Sequence, residues 1–115
     1  MKPEAVKYLL MAADMDRAVA FYQNTMGFDQ GHVSPCWSEL RFGDAILALH
    51  GGGEGSRNPT GLSLQYADVR QAHAAAVAAG AVSIHEPEQR EGEPIILATI
   101  ADPEGNVIML TQYVG

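Results

Sequence analysis

Apolar runs and helix-forming stretches alternate along the chain in an order that occurs twice. In each half an apolar run ends at an aspartate, Asp14 or Asp68, and ten to twelve helix-forming residues lead to a glycine, Gly27 or Gly80. A short carboxylate accepts the free amide hydrogens of a first helical turn, and glycine adopts the left-handed conformation that ends a helix. The aspartates lie 54 residues apart and the glycines 53, so the halves differ by one residue within the helix. This pattern predicts two tandem modules.

Three strand candidates follow each helix. They are 28–34, 36–42 and 45–50 in the first half and 82–86, 94–101 and 106–113 in the second. Gly43-Asp44 and Asp102-Pro103-Glu104-Gly105 are turn signals between the last two strands of each half. We therefore expect an α+β fold of two β-α-β-β-β modules, about 5–50 and about 62–113, joined by a glycine-rich linker at 51–61. Neither half is large enough to bury its sheet alone, so the two must pack together around a central cleft.

Alternation along the first predicted hairpin separates two faces. One face carries Trp37, Glu39 and Arg41 together with His50, and burying these groups unpaired would cost stability, so we expect this face to border solvent or a cavity. In the second half we predict a less polar face made of Leu62, Leu64, Tyr66, Val107, Met109 and Thr111. Together these faces predict a cleft with one polar and one apolar wall, suited to an organic molecule.

Composition excludes several classes of protein. The 115 residues suit one domain, and 14 acidic against 7 basic residues give a net charge of −7, which disfavours nucleic-acid partners. No apolar run could cross a membrane, and the stretch Tyr8–Ala13 is too short for a secretory signal, so we expect a cytoplasmic protein. The single cysteine, Cys36, excludes an internal disulfide and a multi-cysteine zinc site.

The acidic excess is concentrated between His85 and Asn106. That segment contains Glu86, Glu88, Glu91, Glu93, Asp102 and Glu104 against Arg90 alone. We expect this segment to border the cleft of the second module and to favour a cationic ligand.

Three features together resemble the vicinal oxygen chelate superfamily, which includes glyoxalase I, extradiol dioxygenases, fosfomycin-resistance enzymes and bleomycin-resistance proteins. They are the duplicated β-α-β-β-β unit, the helix Asp-Met-Asp-Arg-Ala-Val-Ala-Phe-Tyr followed by Met26-Gly27-Phe28, and the turn Asp102-Pro103-Glu104-Gly105-Asn106. The resemblance covers residues 5–113. It implies a curved mixed sheet around a central cleft, and a homodimer.

The resemblance also implies where metal-using members hold their ion. The four ligand positions fall at or beside Lys7, Ala48, Leu62 and Met109 in this sequence. Alanine and leucine offer no donor, lysine is normally protonated, and a methionine thioether suits hard divalent ions poorly. We therefore expect neither a metal nor another cofactor, as in the metal-free branch typified by bleomycin-resistance proteins, which sequester a cationic, aromatic-bearing drug.

Seven residues are the candidates for the ligand-binding cleft: Lys7, Trp37, Glu39, Arg41, His50, Tyr66 and Met109. The favoured hypothesis is a metal-independent protein that binds a small cationic or aromatic, antibiotic-like molecule. One alternative is a lyase, isomerase or dioxygenase with a displaced metal site or metal-free acid–base chemistry, and another is a binding subunit of a larger assembly. Two structural alternatives stay open, namely that Trp37 fills the core and that Glu39 and Arg41 pair with each other. The sequence assigns no catalytic residue.

Overall fold

Two four-stranded mixed sheets form the fold, as seen in a computed structural model that describes residues 1–115. In chain order the elements are β1 (Lys7–Ala12), α1 (Met15–Ala20), a π-helical turn (Phe21–Thr25), β2 (Asp29–His32), β3 (Trp37–Phe42), β4 (Ala45–Gly51), β5 (Asn58–Gln65), α2 (Val69–Ala78), β6 (Val82–Gln89), β7 (Ile95–Ala101) and β8 (Asn106–Tyr113). The sheets have the orders β1-β4-β3-β2 and β5-β8-β7-β6. In each sheet the two strands that come first and fourth along the chain pair in parallel, β1 with β4 and β5 with β8. The predicted pair of β-α-β-β-β modules is confirmed. Neither helix is long and apolar enough to cross a membrane.

Both helices begin at the predicted aspartates. The carboxylate of Asp14 accepts the amide of Arg17 at 3.2 Å, and that of Asp68 accepts the amide of Gln71 at 3.1 Å. These bonds satisfy amides that have no partner within the first helical turn. The glycines that end the helical segments, Gly27 and Gly80, have φ angles of 94° and 108°, a region that glycine adopts without strain.

The helical segment of the first module contains a π-helical turn that the sequence pattern did not predict. Regular α-helix covers only Met15–Ala20, and the amide of Met26 then bonds to the carbonyl of Phe21, five residues earlier, at 3.0 Å. A π-turn accommodates one more residue than an α-turn. The extra residue between Asp14 and Gly27, relative to the second module, is therefore absorbed here.

Strand pairing in the first module follows the predicted hairpin. Phe42 pairs with Ala45, Leu40 with Leu47 and Ser38 with Leu49. The second module departs from prediction at its start, because β5 begins at Asn58, within the segment expected to be linker. It does so because residues 58 and 59 extend the parallel ladder along β8, opposite residues 106 and 107.

One apolar cluster on the helix side of both sheets forms the core. It contains residues of each module, including Leu10, Tyr22 and Leu47 from the first and Ile100 and Leu110 from the second. The sides of the two sheets turned away from α1 and α2 are less covered, and we call them the open face. Each module contributes one half of the open face.

A buried side chain joins the two sheets edge to edge. Asn106, which has no exposed surface, accepts the amide of Met11 at 3.1 Å and donates to the carbonyl of Met11 at 2.7 Å. The asparagine amide thus pairs with the free edge of β1 as a neighbouring peptide group would. It also accepts from the side-chain amide of Asn58 and donates to the carboxylate of Asp102.

A network of charged and polar groups surrounds this junction. The buried carboxylate of Glu104 binds the Arg17 guanidinium at 2.7 and 3.2 Å and accepts the amide of Asp14 at 2.8 Å. The hydroxyl of Tyr22 donates to Asp102. Burial raises the pKa of Asp102, although four hydrogen-bond donors oppose that effect, and burial together with Asp102 raises the pKa of Tyr22 well above its ordinary value.

Candidate ligand-binding site

An ionic and aromatic cluster occupies the open face of the first module. Oε2 of Glu39 lies 2.8 Å from Nζ of Lys7 and accepts the indole N–H of Trp37 at 2.9 Å. Lys7 Nζ also lies 5.9 Å from the centre of the Trp37 ring, within the range of a cation–π contact. Three predicted cleft residues, brought together from strands β1 and β3, therefore form one unit.

The charge of Glu39 is stabilised within this cluster. The hydrogen bonds from Lys7, then from Trp37, lower the pKa of Glu39 below its ordinary value. Both donors bind Oε2, so Oε1 has no partner within the protein. The side chain is 15% exposed. Oε1 is thus an acceptor that a ligand on the open face can reach.

The cluster lies above an apolar floor. Ala48 pairs with Leu9 on one side and Glu39 on the other, and Ile46 pairs with Lys7 and Arg41. Ile46 and Ala48 are buried although they face away from the helices. Their burial shows that the side chains of the cluster extend across the strands and cover them. Leu9, by contrast, is 53% exposed on this face.

His50 stands beside Trp37 at the end of β4. The two rings form an edge-to-face pair with centres 6.0 Å apart. Nδ1 of His50 lies 2.6 Å from the carbonyl oxygen of Gly51, which can only accept, so this hydrogen bond places a proton on Nδ1. In the neutral ring Nε2 then carries a free lone pair.

Arg41 also lies on the open face, and its guanidinium makes no hydrogen bond or ion pair. The alternative that Glu39 pairs with Arg41 is wrong, because Glu39 reaches across β4 to Lys7 instead. Asp29 lies opposite Arg41 in the β2–β3 ladder but forms no ion pair with it within 4.0 Å. Arg41 therefore remains a free cation on this face.

Met109 and Tyr66 lie on opposite faces of the second sheet. Met109 pairs with Ser63 and Thr99 and is 38% exposed on the open face, as predicted from its position. Leu64 pairs instead with Leu110, a residue of the core. Tyr66, two residues after Leu64 in the chain, packs against the core cluster.

The prediction that Tyr66 faces the cleft together with Leu64 is therefore wrong. The hydroxyl of Tyr66 donates to the carbonyl of Met26 at 2.7 Å, and burial raises the pKa of this phenol to about 12. Tyr66 thus connects the second module to the helical segment of the first. The parallel register of β5 on β8 is the reason, since it aligns Ser63, not Leu64, with Met109.

The acidic segment does not border the open face as a unit. Asp102 and Glu104 are buried in the junction between the modules, so their predicted place beside the cleft is wrong. Glu86 approaches α2 on the other side of the sheet, and Glu93 pairs with Arg90 in the β6–β7 turn. Of the six acids, only Glu88 pairs with an open-face residue, Leu97.

A groove of about 310 Å³ runs between the edges of β1 and β5 and is lined by residues 7–10 and 58–62. Lys7 and Leu9 thus belong both to the groove and to the open face. The volume is at the lower end of the range for small organic ligands. A second cavity of about 290 Å³ lies under the 52–58 linker, where Met11 is the one apolar side chain, so it has less to offer an organic molecule.

The donor set does not fit a metal ion. Of the four positions at which the resemblance places ligands, Ala48 and Leu62 are buried hydrocarbon, Lys7 is bound to Glu39, and Met109 offers a thioether. No group of three or more His, Cys, Asp or Glu side chains converges anywhere in the structure. Glu39 and His50, the residues considered for a displaced site, therefore have no third such side chain converging with them.

Two contributors to this region were missed in the sequence. Leu9 adds exposed apolar surface beside the ionic cluster, and Asn106 fixes β1 next to the second module. Side chains alternate along a strand, so the interpretation of Lys7 as a surface residue of β1 would have indicated that Leu9 lies on the same exposed face. Nothing in the local sequence marks Asn106 as a buried junction residue.

Comparisons with known proteins agree with this fold. Residues 7–111 match the glyoxalase-like domain family. No curated protein sequence matches the chain. Among solved structures, a glyoxalase/bleomycin resistance protein/dioxygenase family enzyme from Burkholderia phytofirmans PsJN is 22% identical, with a TM-score of 0.77 over 93% of this chain and 96% of that one.

Two further structures are of binding proteins. TnmS3, an antibiotic-binding protein from Streptomyces sp. CB03234, is 26% identical, with a TM-score of 0.74 over 97% of each chain. A bleomycin-binding protein from Streptomyces verticillus, in complex with copper(II)-bleomycin, is 17% identical, with a TM-score of 0.69 over 96% of each chain. Because the family match covers nearly the whole chain, the protein belongs to the glyoxalase-like domain family.

Proposed function

We propose that the protein binds a small organic molecule carrying an aromatic or cationic group, on the open face and without a metal ion. The observation that carries this proposal is the Lys7–Glu39–Trp37 cluster above an apolar floor. Lys7 of the cluster and Ala48 of the floor occupy two of the positions at which metal-using relatives would need donors. The similarity to an antibiotic-binding protein and a bleomycin-binding protein supports the same class of function.

The chemistry of the cluster supports an aromatic ligand more strongly than a charged one. Trp37 offers a ring face for stacking, which contributes about 0.5–1.5 kcal/mol beyond the burial of area. Leu9 and Met109 add apolar surface that a ligand would remove from water. For a cationic group of the ligand, the cluster offers one free acceptor, Oε1 of Glu39, because most residues of the acidic segment lie away from the open face.

The sole tryptophan makes this proposal directly testable, since Trp37 fluorescence reports on its own site. We would titrate bleomycin and two planar dyes of similar size, one cationic and one anionic. We expect saturable quenching by at least one compound, with binding confirmed by calorimetry. E39Q should selectively lower the affinity of the protein for the cationic compounds. D44N, in the exposed β3–β4 turn, removes the same charge away from the cluster and should leave every affinity unchanged. No saturable binding across the panel would reject the proposal.

His50 favours a second candidate, metal-free acid–base catalysis. Its bond to Gly51 leaves Nε2 as a free base on the open face, next to the aromatic ring against which a ligand would stack. If the protein is an enzyme of this kind, H50Q should abolish turnover of a bound compound while leaving its affinity nearly intact. Full retention of turnover in H50Q would exclude His50 as the base.

We also propose that the protein acts as a homodimer. The support is exposed apolar surface, for example Leu9 on the open face, Phe42 at the end of β3 and Tyr113 at the end of β8. Light scattering coupled to size exclusion would test this directly. A monomer at micromolar concentration, with and without ligand, would reject it.

A further inference from the structure

A serine, a histidine and a glutamate meet between α2 and β6, on the opposite side of the second sheet from the open face. Nε2 of His73 lies 2.8 Å from Oγ of Ser83, and Nδ1 of the same ring lies 3.7 Å from Oε2 of Glu86. The single hydroxyl proton of Ser83 has a second, longer acceptor in Oε1 of Glu86, at 3.3 Å. Each ring nitrogen of His73 therefore faces a different partner.

The local fold explains why these three residues converge. His73 follows Val69 by four residues and precedes Ala76 by three, and these three are the buried residues of α2. Ser83 pairs with Ile100 on the core side of β6, directly beneath the helix.

A β-bulge brings in the third residue. Ser83 pairs with Ile100, but His85 pairs with the next residue, Thr99, so one extra residue is inserted in β6. The insertion returns Glu86, three residues after Ser83, to the side of the strand that faces His73. Bulges commonly re-aim side chains in this way and are frequent beside active sites.

We propose that Ser83 is a nucleophile activated by His73 and positioned through Glu86, which accepts acyl groups from small activated esters. A hydroxyl bonded to one nitrogen of an imidazole, whose other nitrogen faces a carboxylate, is the arrangement by which proteins activate serine. The Ser83–His73 distance is already that of a hydrogen bond, and longer contacts to the third group are common before substrate binds. This activity is independent of the proposed ligand site on the open face.

The acyl transfer balances with these groups alone. Oγ of Ser83 bonds to the acyl carbon, its proton passes to Nε2 of His73, and the bond from the acyl carbon to the leaving alkoxide or phenolate oxygen breaks. The leaving group departs with the electron pair of that bond and takes the proton from His73. Water then bonds to the acyl carbon and loses a proton to Nε2 of His73. The bond from the acyl carbon to Oγ of Ser83 breaks, Oγ takes the proton from His73, and the carboxylic acid is released with Ser83 and His73 restored.

The position of the group permits access. The His73 side chain is 8% exposed and the Glu86 side chain is 78% exposed, so the imidazole is shielded while the site opens to solvent on the Glu86 side. β6 is the outermost strand of its sheet, so no neighbouring strand covers its second edge.

The experiment uses p-nitrophenyl acetate as the probe with the intact chain. We expect a burst of p-nitrophenolate, acetyl ester on Ser83 by peptide mass mapping, and a rate about 10²-fold above that of S83A. S63A, which removes an exposed serine on the open face, is the matched control and should react like the wild type. Acetylation confined to lysines or the N-terminus, or equal rates for S83A and wild type, would overturn the proposal.

Glu86 is tested separately. Because its side chain is exposed, its substitution should not impair folding. E86Q should lower the maximal acetylation rate about tenfold without changing the half-saturating ester concentration, and E86D should restore most of it. Acetylation of Ser83 at the wild-type rate in E86Q would remove Glu86 from the site and overturn its positioning role.

Discussion

Replacing Asn106 with alanine would remove the side chain that joins the two sheets. Asn106 accepts from the amide of Met11 and the side chain of Asn58 at 3.1 and 2.8 Å, and donates to Met11 and Asp102 at 2.7 and 2.9 Å. N106A removes all four bonds. Asp102 keeps its other donors. The backbone amide and the backbone carbonyl of Met11, however, each lose the hydrogen bond to the Asn106 side chain.

The magnitude follows from these two groups. A buried backbone donor or acceptor left without a partner costs about 1–3 kcal/mol. Met11 is half-buried, so water reaches part of the site and the lower part of this range applies. We expect N106A to lower the free energy of unfolding by about 2–4 kcal/mol. This is a large share of the 5–15 kcal/mol that stabilises a typical domain, as an order-of-magnitude figure.

Urea unfolding of wild type and N106A would measure this loss. N58A is the matched control, because it removes a single bond to Asn106 and should cost only about 0.5–1.5 kcal/mol. Native-state hydrogen exchange adds a local readout, since the amide of Met11 should exchange faster in N106A than in N58A. Equal destabilisation by the two variants, or an unchanged Met11 amide, would refute the role assigned to the Asn106 side chain.

Two further predictions concern the turns and the open face. G105A should lower the free energy of unfolding much more than G27A. Both glycines have positive φ, 97° and 94°, but only at Gly105 would a Cβ collide with a backbone carbonyl, that of Ser56. Urea midpoints for the pair would test this, and equal midpoints would contradict it. The lowered pKa of Glu39 means that its stabilising contact is complete above 4.5, the ordinary pKa of glutamate, and is lost as pH falls through the lowered pKa. Trp37 emission should therefore change only below pH 4.5, and the change should be absent in E39Q; a transition that persists in E39Q would have another source.

Local signals predicted most of the architecture. The Asp14 and Asp68 caps, the glycines that end the helical segments and the Gly43-Asp44 hairpin all depend on neighbouring residues, and the structure confirms each of them. A two-residue turn fixes the register of a hairpin, so the shared face of Trp37 and Glu39 could be derived. The single-residue difference between the two halves was also visible, although not that a π-turn would absorb it.

Pairings across long sequence distances could not be derived. The parallel contacts of β1 with β4 and of β5 with β8 have no turn to set their register, so neither the partner of Lys7 nor the side on which Tyr66 lies was fixed by the sequence pattern. Asp102 and Glu104 were interpreted as surface charge for a related reason. Their partners, Tyr22 and Arg17, lie at least 80 residues earlier in the chain.

The way in which the two sheets meet has a mechanical consequence. Strands β1 and β5 form no ladder with each other, and Asn106 supplies the pairing at a single point. A continuous ladder would fix the angle between the sheets, whereas one side-chain amide acts as a pivot along that line. The shared core and the contacts Arg17–Glu104 and Tyr22–Asp102 also join the modules, so a change in the angle between the sheets would have to displace these groups. A ligand that spread the two sheets would therefore act against side-chain contacts and core packing, and no strand pair between the sheets would have to break.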